Sequence, residues 1–154
     1  MRSRHGDDLL DDSFDALRLD VCHRLLTASY WSPGISRREV EHGFRHSTLV
    51  VGAYAGAGAE QVGCARVVSD RTRFAFVMDV VVAEAHRRRG LGRAMVRFLL
   101  EHPALALVYR FALVTNDAHG VYAGLGFGPL ARPDRWMTLE KQREWLPDPA
   151  PNGG

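Results

Sequence analysis

His86-Arg87-Arg88-Arg89-Gly90-Leu91-Gly92-Arg93-Ala94-Met95 leaves the apolar run Phe76 to Val82 and opens the amphipathic stretch Leu91 to Leu100. A strand that feeds a helix through glycines leaves the first helical N–H groups without intrahelical partners, aimed at one point where the helix dipole favours negative charge. Gly90 and Gly92 remove side chains that would keep a phosphate from the backbone, and Arg87, Arg88, Arg89 and Arg93 add planar, multi-donor cations around it. The turn reads as the cradle of an anion such as pyrophosphate. The plain alternative is an ordinary strand-to-helix connection with solvated arginines. No G-x-x-x-x-G-K-[ST] occurs in the chain, the G-x-G-x-x-G spacing is missing, and the preceding runs suggest antiparallel hairpins. Those absences argue against ATP on a P-loop lysine and against NAD.

The 154 residues, 46% hydrophobic and 25% charged, fit one compact domain with a single sizeable core. A formal net charge of +2 is too mild for a nucleic-acid coat, and the arginine cluster makes the positive charge local. Cys22 and Cys64 form no CxxC and no Cys/His cluster, so the chain reads as reduced and cytoplasmic. The charged start Met1 to Asp12 lacks the apolar core of a signal peptide, and no apolar window approaches the roughly 18 residues of a membrane span.

Residues 1–12 and the Pro/Gly-rich 147–154 have little to bury and are expected to be mobile, leaving 13–146 as the folded domain. Val21, Leu25 and Leu26 predict a short helix from about Asp20, Tyr30 to Gly34 a loop, and Ser36 with Glu39 a capping box opening a second helix. Thr48 to Tyr54 and Gln61 to Val68 read as a hairpin around Ala55 to Glu60, with Phe74 to Val82 as a third antiparallel strand. Leu91, Met95, Phe98 and Leu99 recur at helical spacing until Pro103, and that stripe is core. Leu105 to Thr115 then predicts a strand, Asp117 to Leu125 a helix, and Trp136 to Leu139 a closing strand. The order is ααβββαβαβ: an α/β fold with a mixed, mostly antiparallel central sheet flanked by helices.

Two motifs together carry a family resemblance. R-x-x-G-x-G (Arg87, Gly90, Gly92) follows one hydrophobic strand, and A-x-x-x-Y-x-x-x-G-F (Ala118, Tyr122, Gly126, Phe127) follows the next. The pair resembles the GNAT superfamily of acyl-CoA-dependent N-acyltransferases over about residues 20 to 140, specifically in the motifs and only generically before Thr48. Ser29-Tyr30-Trp31 and Asp117 to Tyr122 resemble a bacterial branch of that family whose substrates are poorly defined. The resemblance implies acetyl-CoA as cosubstrate. It also implies that backbone groups of Val80 and Val82 pair with the pantetheine arm like an added strand, leaving the thioester where the family's fourth and fifth strands splay apart. N–H groups from Arg88 through Arg89, Gly90, Leu91, Gly92 and Arg93 to Ala94 would hold the pyrophosphate, with Arg87 beside them, and Tyr122 would face the sulfur. A phenol there can protonate the departing thiolate as general acid; otherwise it is a core tyrosine. Many family members carry Asn where this chain has Thr115, so a cofactor contact from Thr115 or from Asn116 stays open.

An amine acceptor arrives as ammonium and must lose a proton before it attacks. Asp79 interrupts an apolar strand beside Val80 and is the candidate base, with a structural carboxylate plus a water base as the alternative. Tyr30 and Trp31 either line the acceptor pocket or anchor their loop. His119 lies near Tyr122 on the helix, as a surface group or a contact. His42 and His46 sit four apart without a third metal ligand, and Arg66 is a substrate contact or an exposed sheet residue. The expected activity is direct acetyl transfer from acetyl-CoA to a primary amine in a ternary complex, with an N–H near Val80 stabilising the oxyanion and without a metal or covalent enzyme intermediate. The rival is a non-catalytic acyl-CoA sensor or interaction module. The acceptor, a small molecule or a protein amine, is left open, as is a homodimer; nucleic-acid and membrane partners are not expected.

Overall fold

The computed structural model describes residues 1–56 and 60–149. Residues 57–59, inside the expected Ala55 to Glu60 loop, and residues 150–154 of the expected tail lie outside the described residues. Six strands form one sheet in chain order: β1 (Arg2–His5), β2 (Asp8–Asp11), β3 (Leu49–Ala55), β4 (Glu60–Ser69), β5 (Phe74–Val82) and β6 (Arg110–Ala112). Each pair is antiparallel except β5 with β6, which is parallel.

Alternation along β3 to β5 divides their apolar side chains between two faces. On one, α3 (Leu91–Leu100) lays Met95 and Leu99 over Val51, Ala53 and Val67. On the other, α1 (Leu19–Thr27) and α2 (Arg37–Arg45) bring Cys22, Leu26 and Phe44 onto Val50 and Cys64. Both cysteines are free thiols, and contact with Cys22 together with burial pushes the Cys64 thiol well above the ordinary range, so Cys64 is not activated. Gly63 lets α3 approach the sheet: a Cβ there would lie 2.9 Å from the Val81 carbonyl oxygen and 3.2 Å from Met95 Cε. No helix among the described residues is long and apolar enough to cross a membrane.

The fold starts at Arg2 and not at residue 13 as the composition of residues 1–12 suggests, because a single apolar anchor and several ion pairs suffice to dock that segment. Leu10 is 2% exposed in the α3-side core, Arg2 Nε donates to Asp11 at 2.7 Å, and buried Asp8 accepts from the Gly56 N–H at 3.2 Å. Leu10→Ala is expected to cost about 3 kcal/mol, the usual toll of a large-to-small change at a closed site, measured as a shift in the urea midpoint.

Three further expectations change. Of Leu105 to Thr115 only Arg110–Ala112 pairs as strand; Pro103–Leu105 is a 3-10 turn, and Leu107 and Tyr109 are exposed. The closing strand is not formed at Trp136 to Leu139, where Met137 is 94% exposed; Pro133 starts a 3-10 turn just before it. The chain beyond instead docks on the start of α2, where Asp148 accepts from the Arg38 N–H at 2.7 Å and Trp145 Nε1 donates to the Pro33 carbonyl at 3.3 Å. That docking also explains why the capping box is half made. Ser36 Oγ accepts from the Glu39 N–H at 3.0 Å, but the Glu39 carboxylate turns to Arg143 and to the Leu146 N–H.

Candidate active site

The site follows from two interruptions of β5. Toward β4, the register runs Arg66↔Met78 and then Cys64↔Val81, so Asp79 and Val80 together face Ala65 in a bulge, and Asp79 takes φ 55°. A bulge shifts the side-chain alternation by one residue. Phe76 and Met78 share a face with Arg66 and α2, whereas beyond the bulge Val80 and Val82 turn to the α3 side, packed against its core. Toward β6, parallel pairing ends at Phe76↔Ala112, and the strands diverge. Between them opens a cleft of about 530 Å³ lined by β5 from Phe76 to Val80, by Leu113 to Ala118, and by Tyr30, Trp31 and Tyr122.

Tyr122, on the short helix α4 (His119–Ala123), is half-buried and packs edge-on against Phe127 at 6.0 Å. Burial, then the nearby Tyr30 and Asp117, raise its pKa, so the hydroxyl keeps its proton at neutral pH. Thr115 Oγ1 accepts from the Ala118 N–H at 3.1 Å and so opens the turn into α4. Tyr30 reaches across the cleft: its hydroxyl accepts from the Asn116 N–H at 3.1 Å and donates to Asp117 Oδ1 at 3.3 Å. Trp31 stands edge-on to Tyr30, ring centroids 4.9 Å apart.

Asp79 is not a free carboxylate. Arg66 Nε donates to its Oδ2 at 2.5 Å, with both side chains mostly buried, and the Arg66 guanidinium lies over the Phe44 ring while reaching Ser47 Oγ at 3.3 Å. Arg66, left open by the sequence, is therefore the partner that lets the bulge carry a charge. The antiparallel register made this legible, since Arg66 faces Met78, the neighbour of Asp79.

At the far end of β5, Arg88 (φ 59°) and Gly90 (φ 78°) bend the chain into α3. The contrast with α2 is informative, because that helix start is filled by Ser36 and Asp148. The α3 start has no side-chain cap and no acidic residue in its first turn. A Cβ on Gly92 would lie 3.8 Å from the γ-carbons of Val80 and Val82, so the open helix end adjoins the bulged strand. Three of the arginines have engagements of their own: Arg87 Nε donates to the Val82 carbonyl at 3.0 Å, Arg89 pairs with Asp8 at 3.3 Å, and Arg93 donates to the Gly124 carbonyl at 2.8 Å. His5 Nε2 lies 2.8 Å from the Arg89 carbonyl oxygen, so the N-terminal hairpin clasps the turn from outside. His42 and His46 stack 4.1 Å apart, with His46 Nδ1 2.8 Å from the His42 carbonyl at the end of α2.

A family model described as the acetyltransferase (GNAT) family matches residues 12–127. The chain belongs to the GNAT family. Among solved structures, this acetyltransferase is similar to a protein of Xanthomonas campestris pv. campestris described as belonging to the GNAT family, at 35% identity and TM-score 0.80, covering 87% of this chain and 93% of that one. A GNAT-family protein of Streptococcus pneumoniae shares the fold at 23% identity and TM-score 0.66, over 94% of this chain and 100% of that one. Glucosamine-6-phosphate N-acetyltransferase of Arabidopsis thaliana does so at 15% identity and TM-score 0.63, over 89% and 99%. No curated protein matches the acetyltransferase as a sequence relative.

The motif residues of the acetyltransferase thus fall into two groups. Asp79, Val80, Thr115, Asn116, Tyr122, Tyr30 and Trp31 meet in one cleft, and Arg87 to Ala94 form the turn beside it. Phe76, Met78 and Val114 also line the cleft and escaped the sequence reading, having no motif of their own, and Asp117, read only as part of the Asp117 to Tyr122 stretch, lines it too. Arg66→Met should strand the Asp79 carboxylate in a mostly buried position and cost about 3 kcal/mol, and adding Asp79→Asn should recover much of that loss in the same urea titration.

Proposed function

We propose that this acetyltransferase transfers acetyl directly from acetyl-CoA to a primary amine, both held at once in the cleft between β5 and β6. One observation carries the reading: the unpaired edge of a bulged strand runs from an uncapped helix start to a half-buried, protonated phenol. The residues fit the cosubstrate. The N–H groups at the start of α3 have no side-chain cap and no acidic residue in their turn, Arg88 and the turn around it supply positive field, and Gly92 leaves the backbone bare. Val80 and Val82 offer strand edge to the amide-bearing arm, in the manner of an added strand. Bound there, acetyl-CoA supplies an activated acyl group on a good leaving thiolate.

The chain's own residues do the rest. At the bulge, Asp79 and Val80 fall out of the ladder, the condition under which a backbone N–H is free to serve an incoming carbonyl oxygen. Tyr122 Oη holds the proton that the leaving sulfur needs. Arg66 already occupies the Asp79 carboxylate, so the acceptor's proton passes to water in the cleft, and Asp79 holds the bulge. Two free, buried thiols are compatible with work in the reducing cytoplasm.

Thiol release from acetyl-CoA, followed colorimetrically across a panel of amines beside a calorimetric titration of the cosubstrate, tests the proposal. Amine-dependent release is the expected result. Tight binding of acetyl-CoA with no transfer to any small amine or protein lysine would replace it with the acyl-CoA sensor.

A further inference from the structure

The charge of the cleft lining narrows the acceptor. We propose that the acceptor is a primary amine on an aromatic or similarly bulky apolar body, carrying no carboxylate or phosphate; this rests on the transfer reaction above. Among the described residues, no Lys, Arg or His lines the cleft. Its two carboxylates differ: Asp79 is matched by Arg66, whereas Asp117 receives only the Tyr30 hydroxyl and has no cationic partner among the described residues. One uncompensated negative charge therefore stands at the mouth, beside the exposed rings of Tyr30 and Trp31. Aromatic faces next to a carboxylate attract an ammonium. An acid group on the acceptor would meet the same field with nothing to pair it.

The floor supplies the second half of the preference. Phe76 and Met78 rise from the α2-side face of β5, and Val114, 82% exposed, closes the opposite wall. These surfaces reward an apolar body, and a thioether adapts to ring edges. An amine without such a body, such as a polyamine, forgoes that contact.

Phenethylamine and phenylalanine differ only in the carboxylate, so their ratio isolates the charge argument. With acetyl-CoA saturating, kcat/KM for phenethylamine should exceed that for phenylalanine and for glucosamine 6-phosphate by about 10²-fold, and that for spermidine by about 10-fold. Exposed Asp117 can be changed without disturbing the core. Asp117→Asn should raise KM for phenethylamine about 10-fold with kcat nearly constant, and Asp117→Lys should shift the preference toward phenylalanine. Equal or better use of phenylalanine, spermidine or the phosphosugar would overturn the inference, as would an unchanged ratio in Asp117→Lys. Calorimetry on the same preparation separates the two layers. Bound acetyl-CoA with phenethylamine neither acetylated nor bound overturns the acceptor class alone, whereas failure to bind acetyl-CoA overturns the transfer reading and the acceptor class with it.

Discussion

Tyr122→Phe is expected to lower kcat about 10²-fold while leaving acetyl-CoA affinity within about twofold, because the change removes one proton donor and almost no surface. The ring would still pack edge-on against Phe127 and stay within the α3-side core, so the fold and the cleft walls persist. What disappears is the hydroxyl, and a thiolate expelled into a half-apolar cleft without a proton is a poor product. The wild-type pH profile gives a second check. Burial, Tyr30 and Asp117 raise the Tyr122 pKa above that of an ordinary tyrosine, so the acid form persists through neutral pH and the alkaline limb of kcat lies above the ordinary tyrosine range. That limb should vanish in the variant. Unchanged turnover in Tyr122→Phe would assign the phenol to packing alone.

Gly92→Glu should weaken acetyl-CoA binding by at least about 10²-fold, read by calorimetry, with stability little altered. The position has room: a Cβ there makes only ordinary contacts with Val80 and Val82, so Gly92→Ala serves as the control that keeps the steric change and omits the charge. A carboxylate in the first turn of α3 fills the N–H groups that no side chain now caps and sets negative charge against an incoming diphosphate. At cosubstrate concentrations far above the weakened Kd, kcat should return toward wild type, since the reacting end of the cleft is untouched. Normal affinity in Gly92→Glu would contradict the cradle.

The elements that position the site were legible where one force dominated. Glycines and arginines between an apolar run and a helical stripe marked the turn into α3, and Ala118 to Phe127 marked α4 and its tyrosine. The bulge was not visible, because Phe74 to Val82 is apolar at almost every position and a phase slip in a strand buried on both faces leaves no break in the pattern. The N-terminal hairpin was missed because burial there comes from Leu10 and from ion pairs such as Arg2 with Asp11, which composition counts as solvated charge. Asp79 looked like a base from its neighbours in sequence; its claim weakens on the partner across the hairpin, Arg66, which only the register supplies. Asp117 went unnoticed as a cleft residue because it stands in the loop ahead of α4, and the divergence of the strands after Phe76 and Ala112 brings that loop opposite Tyr30.

In the proposed reaction, the irregularity at Asp79 shifts the phase of a single nine-residue segment, so that Phe76 and Met78 before it stand toward the α2 layer while Val80 and Val82 after it stand toward the α3 layer. Donor and acceptor can then approach from opposite layers and converge on the same peptide unit.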